Sequence, residues 1–139
     1  MSLKNQKRSS LFAFGFFWML WGAVLDASFV HWQGDYDKAH AKARAMHKPL
    51  LVLLVKSDPF SRELIRTVFM DRPYVEAINR RTIPLLLTYG TRASYPIELY
   101  YTTTFPTLFL VDATHELFLL PPLYAEAITP VSVAKMLSF

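Results

Sequence analysis

Any chemistry in this chain must come from oxygen and nitrogen groups, because its 139 residues include no cysteine. That absence excludes thiolate metal sites, iron–sulfur centres, disulfide staples and thiol catalysis. The most pointed pair is Asp58 and Ser61, within the run Asp58-Pro59-Phe60-Ser61. Ser57-Asp58-Pro59 sets a capping side chain before a proline at the first helical position, a strong helix start. A carboxylate at Asp58 can accept from the free amides of that turn and sits well against the helix dipole. Capping is the leading reading of Asp58, with a ligand or partner contact as the lesser alternative. Ser61 falls in the first turn, expected half-exposed. As a nucleophile it needs a base and an oxyanion site, and no local residues supply them.

The four histidines are His31, His40, His47 and His115. His40 and His47 are two helical turns apart, whereas chelating pairs favour a spacing of three or four. No metal and no cofactor are expected. Basic residues are scattered, with Arg80-Arg81 the only adjacent pair after the N-terminal segment, so nucleic acid is not an expected partner. Aromatic rings are concentrated instead. Tyr95, Tyr100, Tyr101 and Phe105 lie close together, some needed for core packing and some available as binding anchors, since Tyr offers large area at low ordering cost.

These groups need a scaffold, and the composition provides for one. The chain is 53% hydrophobic, 15% aromatic and 19% charged, with mean hydropathy +0.21, too apolar for intrinsic disorder. The net charge of +4 is partly local, since Lys4, Lys7 and Arg8 fall in the first ten residues. From Ser28 onward 12 basic residues face 10 acidic ones. Residues 1–10 are polar and basic, and 11–30 form an apolar run broken only by Asp26. As a helix this run would rise about 30 Å, the hydrocarbon thickness of a bilayer. The basic start should stay cytoplasmic, which sends residues 31–139 across the membrane. The expected layout is a cytoplasmic segment over 1–10, a transmembrane signal-anchor over 11–30 and one domain over 31–139. A cleaved signal is the competing reading, with Leu25-Asp26-Ala27 as its cleavage point.

The domain reads as alternating elements. Asp35–His47 is a helix with Asp35 as N-cap and Tyr36, Ala39, Ala43 and Met46 on one face. Leu50–Val55 is a continuous apolar run, the mark of a strand covered on both faces. The helix after Asp58 carries Phe60, Leu64, Ile65, Val68 and Phe69 as its stripe. A short helix over Pro73–Arg80 leads to a buried strand over Ile83–Leu87. Residues 90–101 read as a loop with a short helix. Thr107–Val111 forms a further strand, to which Glu116–Leu120 pairs back, and Thr129-Pro130 starts a last helix with Val133, Met136 and Leu137 inward. Strand, crossover helix and strand predict a parallel pair with a right-handed crossover. The α/β result is a mixed sheet flanked by helices.

This order resembles the thioredoxin-like superfamily, and in particular its exported members with a helix before the first buried strand. The resemblance rests on HWQGDYDKAHAKARAMHKPLLVLLV, SDPFSRELIRTVFMDRPYVEAINRRTIPLLL and TTTFPTLFLVD, and covers about Trp32–Phe139. It implies that Asp58 and Ser61 stand where redox-active members carry a Cys-x-x-Cys pair. Disulfide exchange needs a thiolate to attack sulfur, so this chain cannot perform it. The resemblance also aligns Pro106 with the family's cis-proline, preceded here by the bulky Phe105. The degenerate site is therefore Asp58, Pro59, Phe60, Ser61, Phe105 and Pro106. The function expected is a membrane-anchored, non-redox domain on the periplasmic face of a bacterial inner membrane. It would bind a protein, as an accessory subunit or assembly factor of an envelope complex, through Tyr95, Tyr100, Tyr101 and Phe105. Two alternatives stand: a glutathione-type enzyme using Ser61 as hydrogen-bond donor to a bound thiolate, and a periplasmic chaperone released by signal cleavage.

Overall fold

The computed structural model describes residues 29–92 and 94–139. Their elements are helix α1 (Tyr36–Met46), strand β1 (Leu50–Val55), helices α2 (Pro59–Val68) and α3 (Arg72–Arg81), strands β2 (Ile83–Thr88), β3 (Thr107–Asp112), β4 (Leu117–Phe118) and β5 (Leu123–Tyr124), and helix α4 (Pro130–Met136). The span expected over 11–30 lies outside the described residues apart from Phe29 and Val30. Among the described residues no helix is long and apolar enough to cross a membrane.

The helix boundaries follow local chemistry. The Asp35 carboxylate accepts from the Lys38 N–H at 3.1 Å, and His47 closes α1 in the left-handed region at φ 53°. Lys48-Pro49 then prevents continuation. Asp58 caps α2 by accepting from the Ser61 N–H at 2.7 Å, with Pro59 opening the helix. Thr129, the N-cap, and Ser132, two residues after Pro130, form a reciprocal capping box at the start of α4. Residues 94–101 hold turns rather than the short helix expected there.

The sheet order is β2-β1-β3-β4. β1 and β2 run parallel in register Leu50↔Ile83 through Val55↔Thr88, while β1 and β3 are antiparallel from Leu50↔Val111 to Leu54↔Thr107. The strand expected over Glu116–Leu120 is shorter, and a second piece lies beyond it. β4 pairs with the end of β3 and β5 with its start. Pro121-Pro122 divides the two, because proline has no N–H for a ladder and is tolerated only at such an edge.

Strand alternation separates two cores. Leu51, Leu53, Val55, Leu108 and Leu110 point to one face and pack under α2, α3 and α4. Leu50, Val52, Leu54, Phe109 and Val111 point to the other, covered by Tyr36, Ala39 and Ala43 of α1. This is why β1 and β3 read as unbroken apolar runs. The chain also joins the fold earlier than expected. Val30, assigned from sequence to the apolar run, is only 8% exposed and belongs to the first core. Gln33 makes a parallel bridge to Leu85.

Candidate functional site

The candidate site is built where β1 ends, α2 begins and β3 starts. β1 delivers Lys56-Ser57-Asp58 to the helix start. Its pairing with β3 closes at Leu54↔Thr107, directly beside Pro106, so both halves of the predicted site lie at one end of the sheet. The Phe105–Pro106 peptide bond is cis. The loop before it is pinned by threonines, a feature the sequence reading passed over. The Thr107 hydroxyl donates to the Thr104 carbonyl at 2.5 Å and lies 3.0 Å from the Thr102 hydroxyl, which accepts from the Thr104 N–H at 3.1 Å. After the proline, its carbonyl accepts from the Ala125 N–H at 2.8 Å, which ties the loop to the end of β5.

Asp58 is occupied by capping. Its carboxyl is held below the usual aspartate range, first by the Ser61 N–H and next by the Ser61 hydroxyl, with Lys56 and Arg62 adding favourable charge. Ser61 departs from expectation: it is 1% exposed rather than half-exposed, and its Oγ, short of full hydrogen-bond geometry, lies close enough to the Asp58 carboxylate to favour its ionised form. The helix phase explains this. Ser61, Leu64 and Val68 form the inward face of α2, and Phe60, expected in the apolar stripe, is turned outward at 44% exposure. Serine is small enough to sit under the helix where the next layer is close; phenylalanine is not.

The four aromatic candidates divide. Tyr100 is corrected from binding anchor to core residue: it is 1% exposed, edge-on to Phe109 at 5.2 Å and to Tyr36 at 5.7 Å. Burial, followed by the neighbouring Tyr36 phenol, pushes its own phenol far above the ordinary tyrosine value. Tyr101 is the opposite case at 72% exposure. Tyr95 and Phe105 are half-buried. The Phe105 ring packs on Tyr89 at 4.9 Å, and the Lys56 ammonium lies 4.7 Å from the Phe105 centroid and 6.0 Å from that of Tyr89. That arrangement is a cation–π contact with two rings. Lys56, Tyr89 and Ile97 were not singled out in the sequence reading. Each is an ordinary surface residue in one dimension and gains meaning only from the ends of β1 and β2 coming together.

Two grooves, each of about 320 Å³, flank Lys56. One is walled by Tyr89, Tyr95, Ile97, Tyr101 and Phe105, the other by Ser57, Ser61, Arg62, Ile65 and Thr88. Neither groove is lined by a carboxylate, and no ion pair among the described residues includes Lys56. The site therefore offers exposed rings and a Lys56 charge in no close ion pair, with the Asp58 carboxylate near enough to feel it. No group of three or more potential metal ligands is assembled among the described residues. His40 instead pairs with Glu116, and His115 with Asp112 at 2.8 Å, both around the β3–β4 turn.

Comparison with solved structures agrees with this geometry. The chain superimposes on the DsbH oxidoreductase with TM-score 0.64 at 17% identity, covering 80% of this chain and 84% of that one. A thioredoxin from Thermus thermophilus matches with TM-score 0.64 at 16% identity, covering 78% and 85% respectively. No protein-family model and no curated protein matches the chain. The domain therefore has the thioredoxin-like fold, a mixed sheet with helices on both faces. It carries that fold with aspartate and serine, not cysteines, at the start of α2.

Proposed function

We propose that this protein is a membrane-anchored thioredoxin-like domain that works by binding another protein, as an accessory subunit or assembly factor of an envelope complex. One observation carries the reading: at the end of the sheet, the former chemistry positions serve structure while the surroundings stay open. Asp58 caps a helix and Ser61 is buried, yet Tyr89 and Phe105 hold Lys56, which has no close ion pair, at the rim of a groove that the exposed Tyr101 also lines. Exposed aromatic rings around a cation suit a partner segment that brings apolar side chains and a carboxylate. The apolar run with its basic leader supports anchoring in a bacterial inner membrane with the domain on the periplasmic side.

Purification from native membranes in mild detergent, with and without cross-linking, tests this. A stoichiometric companion that is lost on Lys56→Glu is the expected result. A lone monomer after cross-linking refutes it.

A glutathione-type enzyme is the second reading, favoured by one feature: the Ser61 Oγ has no hydrogen bond of full geometry. Its burial counts against that role, because a ligand thiolate could meet it only after α2 shifts.

A further inference from the structure

The last two residues of the apolar run and the three that follow it are tied to the domain without slack. Both ends of the Asn79 side-chain amide, on α3, are used for this: Oδ1 accepts from the His31 N–H at 2.8 Å and Nδ2 donates to the Phe29 carbonyl at 2.7 Å. Between them Val30 is buried in the core, and the Trp32 ring lies edge-on to Phe69 at 5.4 Å. The Gln33 N–H donates to the Pro84 carbonyl at 2.9 Å and its carbonyl accepts from the Leu86 N–H at 3.0 Å. Five successive residues, Phe29 to Gln33, thus hold fixed positions, where a flexible tether would leave polar, unbonded chain.

The direction of this segment carries more. It runs parallel to β2 with Gln33 beside Leu85, so Phe29 lies toward the Ile83 end of the strand, next to the last turn of α3. The Lys56–Phe105 grooves lie past the other end, after Val55 and Thr88. A strand of this length spans about 20 Å. We propose that Asn79 latches the domain to its membrane entry point, so that it stands in one orientation with the groove rim farther from the bilayer than Phe29, by up to the strand's length of about 20 Å. The inference rests on the anchored reading. It deepens that reading by placing the partner's contact segment in an extramembrane part, clear of the lipid surface.

The full chain reconstituted in vesicles can report this, and the native absence of cysteine makes single-site labelling clean. A fluorophore is placed on Arg80→Cys, beside the latch, or on Tyr101→Cys, at the groove, with nitroxide-headgroup lipids as quenchers. Quenching several-fold stronger at position 80 than at 101 is expected. Equal quenching in chain that remains membrane-bound overturns the proposed orientation while leaving the anchor intact. Asn79→Ala should erase the contrast. Because that variant could unfold, a Gly-Ser insertion between Ser28 and Phe29 repeats the test with the domain unaltered. A contrast that survives the insertion overturns the latch. Recovery of the protein only as a free chain starting near Ser28 overturns the anchored reading itself, and the orientation with it.

Discussion

Ser61→Ala should make the protein more stable. The Ser61 side chain is 1% exposed and its Oγ has no hydrogen bond of full geometry, while the bond that caps α2 uses its backbone N–H, which alanine keeps. An unpaired buried hydroxyl costs about 1–3 kcal/mol of desolvation. Alanine also exceeds serine in helix propensity by about 0.5 kcal/mol. Against this stand the lost attraction of the hydroxyl to the Asp58 carboxylate, about 1 kcal/mol, and the contacts of one oxygen at about 0.1–0.2 kcal/mol each. The balance is a gain of about 1 kcal/mol. For a domain of about 110 residues that raises the melting temperature by about 4 °C. Scanning calorimetry of the full chain in detergent micelles reads this directly. A fall of similar size refutes the reasoning, because it means the hydroxyl is engaged in the native fold. The same experiment with millimolar glutathione decides the second functional reading. A ligand at a hundred times its Kd adds about 2.7 kcal/mol. A shift in the natural protein that vanishes in Ser61→Ala favours a thiol site; no shift in either removes it.

Other outcomes follow from the same geometry. Asp58→Cys combined with Ser61→Cys should form an intramolecular disulfide under mild oxidation, seen as the loss of two hydrogens in intact mass; a persistently reduced pair argues against the assignment of these positions. Tyr101→Ala should change stability by less than about 0.5 kcal/mol, as surface substitutions do, and should abolish recovery of the cross-linked partner; full recovery rejects the groove as the docking site. The pH profile should fall at both ends. Asp58 and Asp112 have folded pKa values below their ordinary value of 3.8, so their contribution is present above that value and is lost as pH falls through the lowered ones. Tyr100 has a raised folded pKa, so its contribution is complete below the ordinary value of 10.0 and is lost as pH rises beyond it; Tyr100→Phe should blunt the alkaline arm in a circular dichroism titration. Intact mass of the mature protein should show that residues 11–28 are retained; a species beginning near Ser28 supports the released chaperone instead.

Much of this fold is legible in one dimension because its signals are local. Asp35, Asp58 and Thr129 each cap a helix with their own side chain, and β1 and β3 announce burial by having no polar face. The misreadings have one physical origin, that helix phase and loop burial are decided by neighbours distant in sequence. Phe60 and Ser61 differ by one position, about 100° around the helix, and only the sheet beneath determines which is turned inward. Tyr100 and Tyr101 are indistinguishable as letters, yet Phe109 and Tyr36 claim one and leave the other in solvent. Lys56 was invisible for the same reason, since its meaning depends on Phe105 and Tyr89, both far along the chain.

A shallow groove is a sufficient binding site if the proposed anchor operates. Two or three exposed rings and one lysine give a modest interaction, of the order expected for micromolar Kd, about −8 kcal/mol. In free solution that affinity leaves a scarce partner mostly unbound. Confinement of both proteins to one bilayer gives an effective concentration that can approach the millimolar range for short connections, about a thousand times a micromolar Kd. Such a gain requires that the geometry permit engagement, and a fixed stance of the domain meets that condition for a partner of the right height and excludes others. Severing the domain from residues 1–28 should therefore weaken capture of the partner far more than any single groove substitution weakens it in the intact chain. Equal capture by the free domain and the full chain, measured at matched dilute concentration, would refute the role assigned to the membrane.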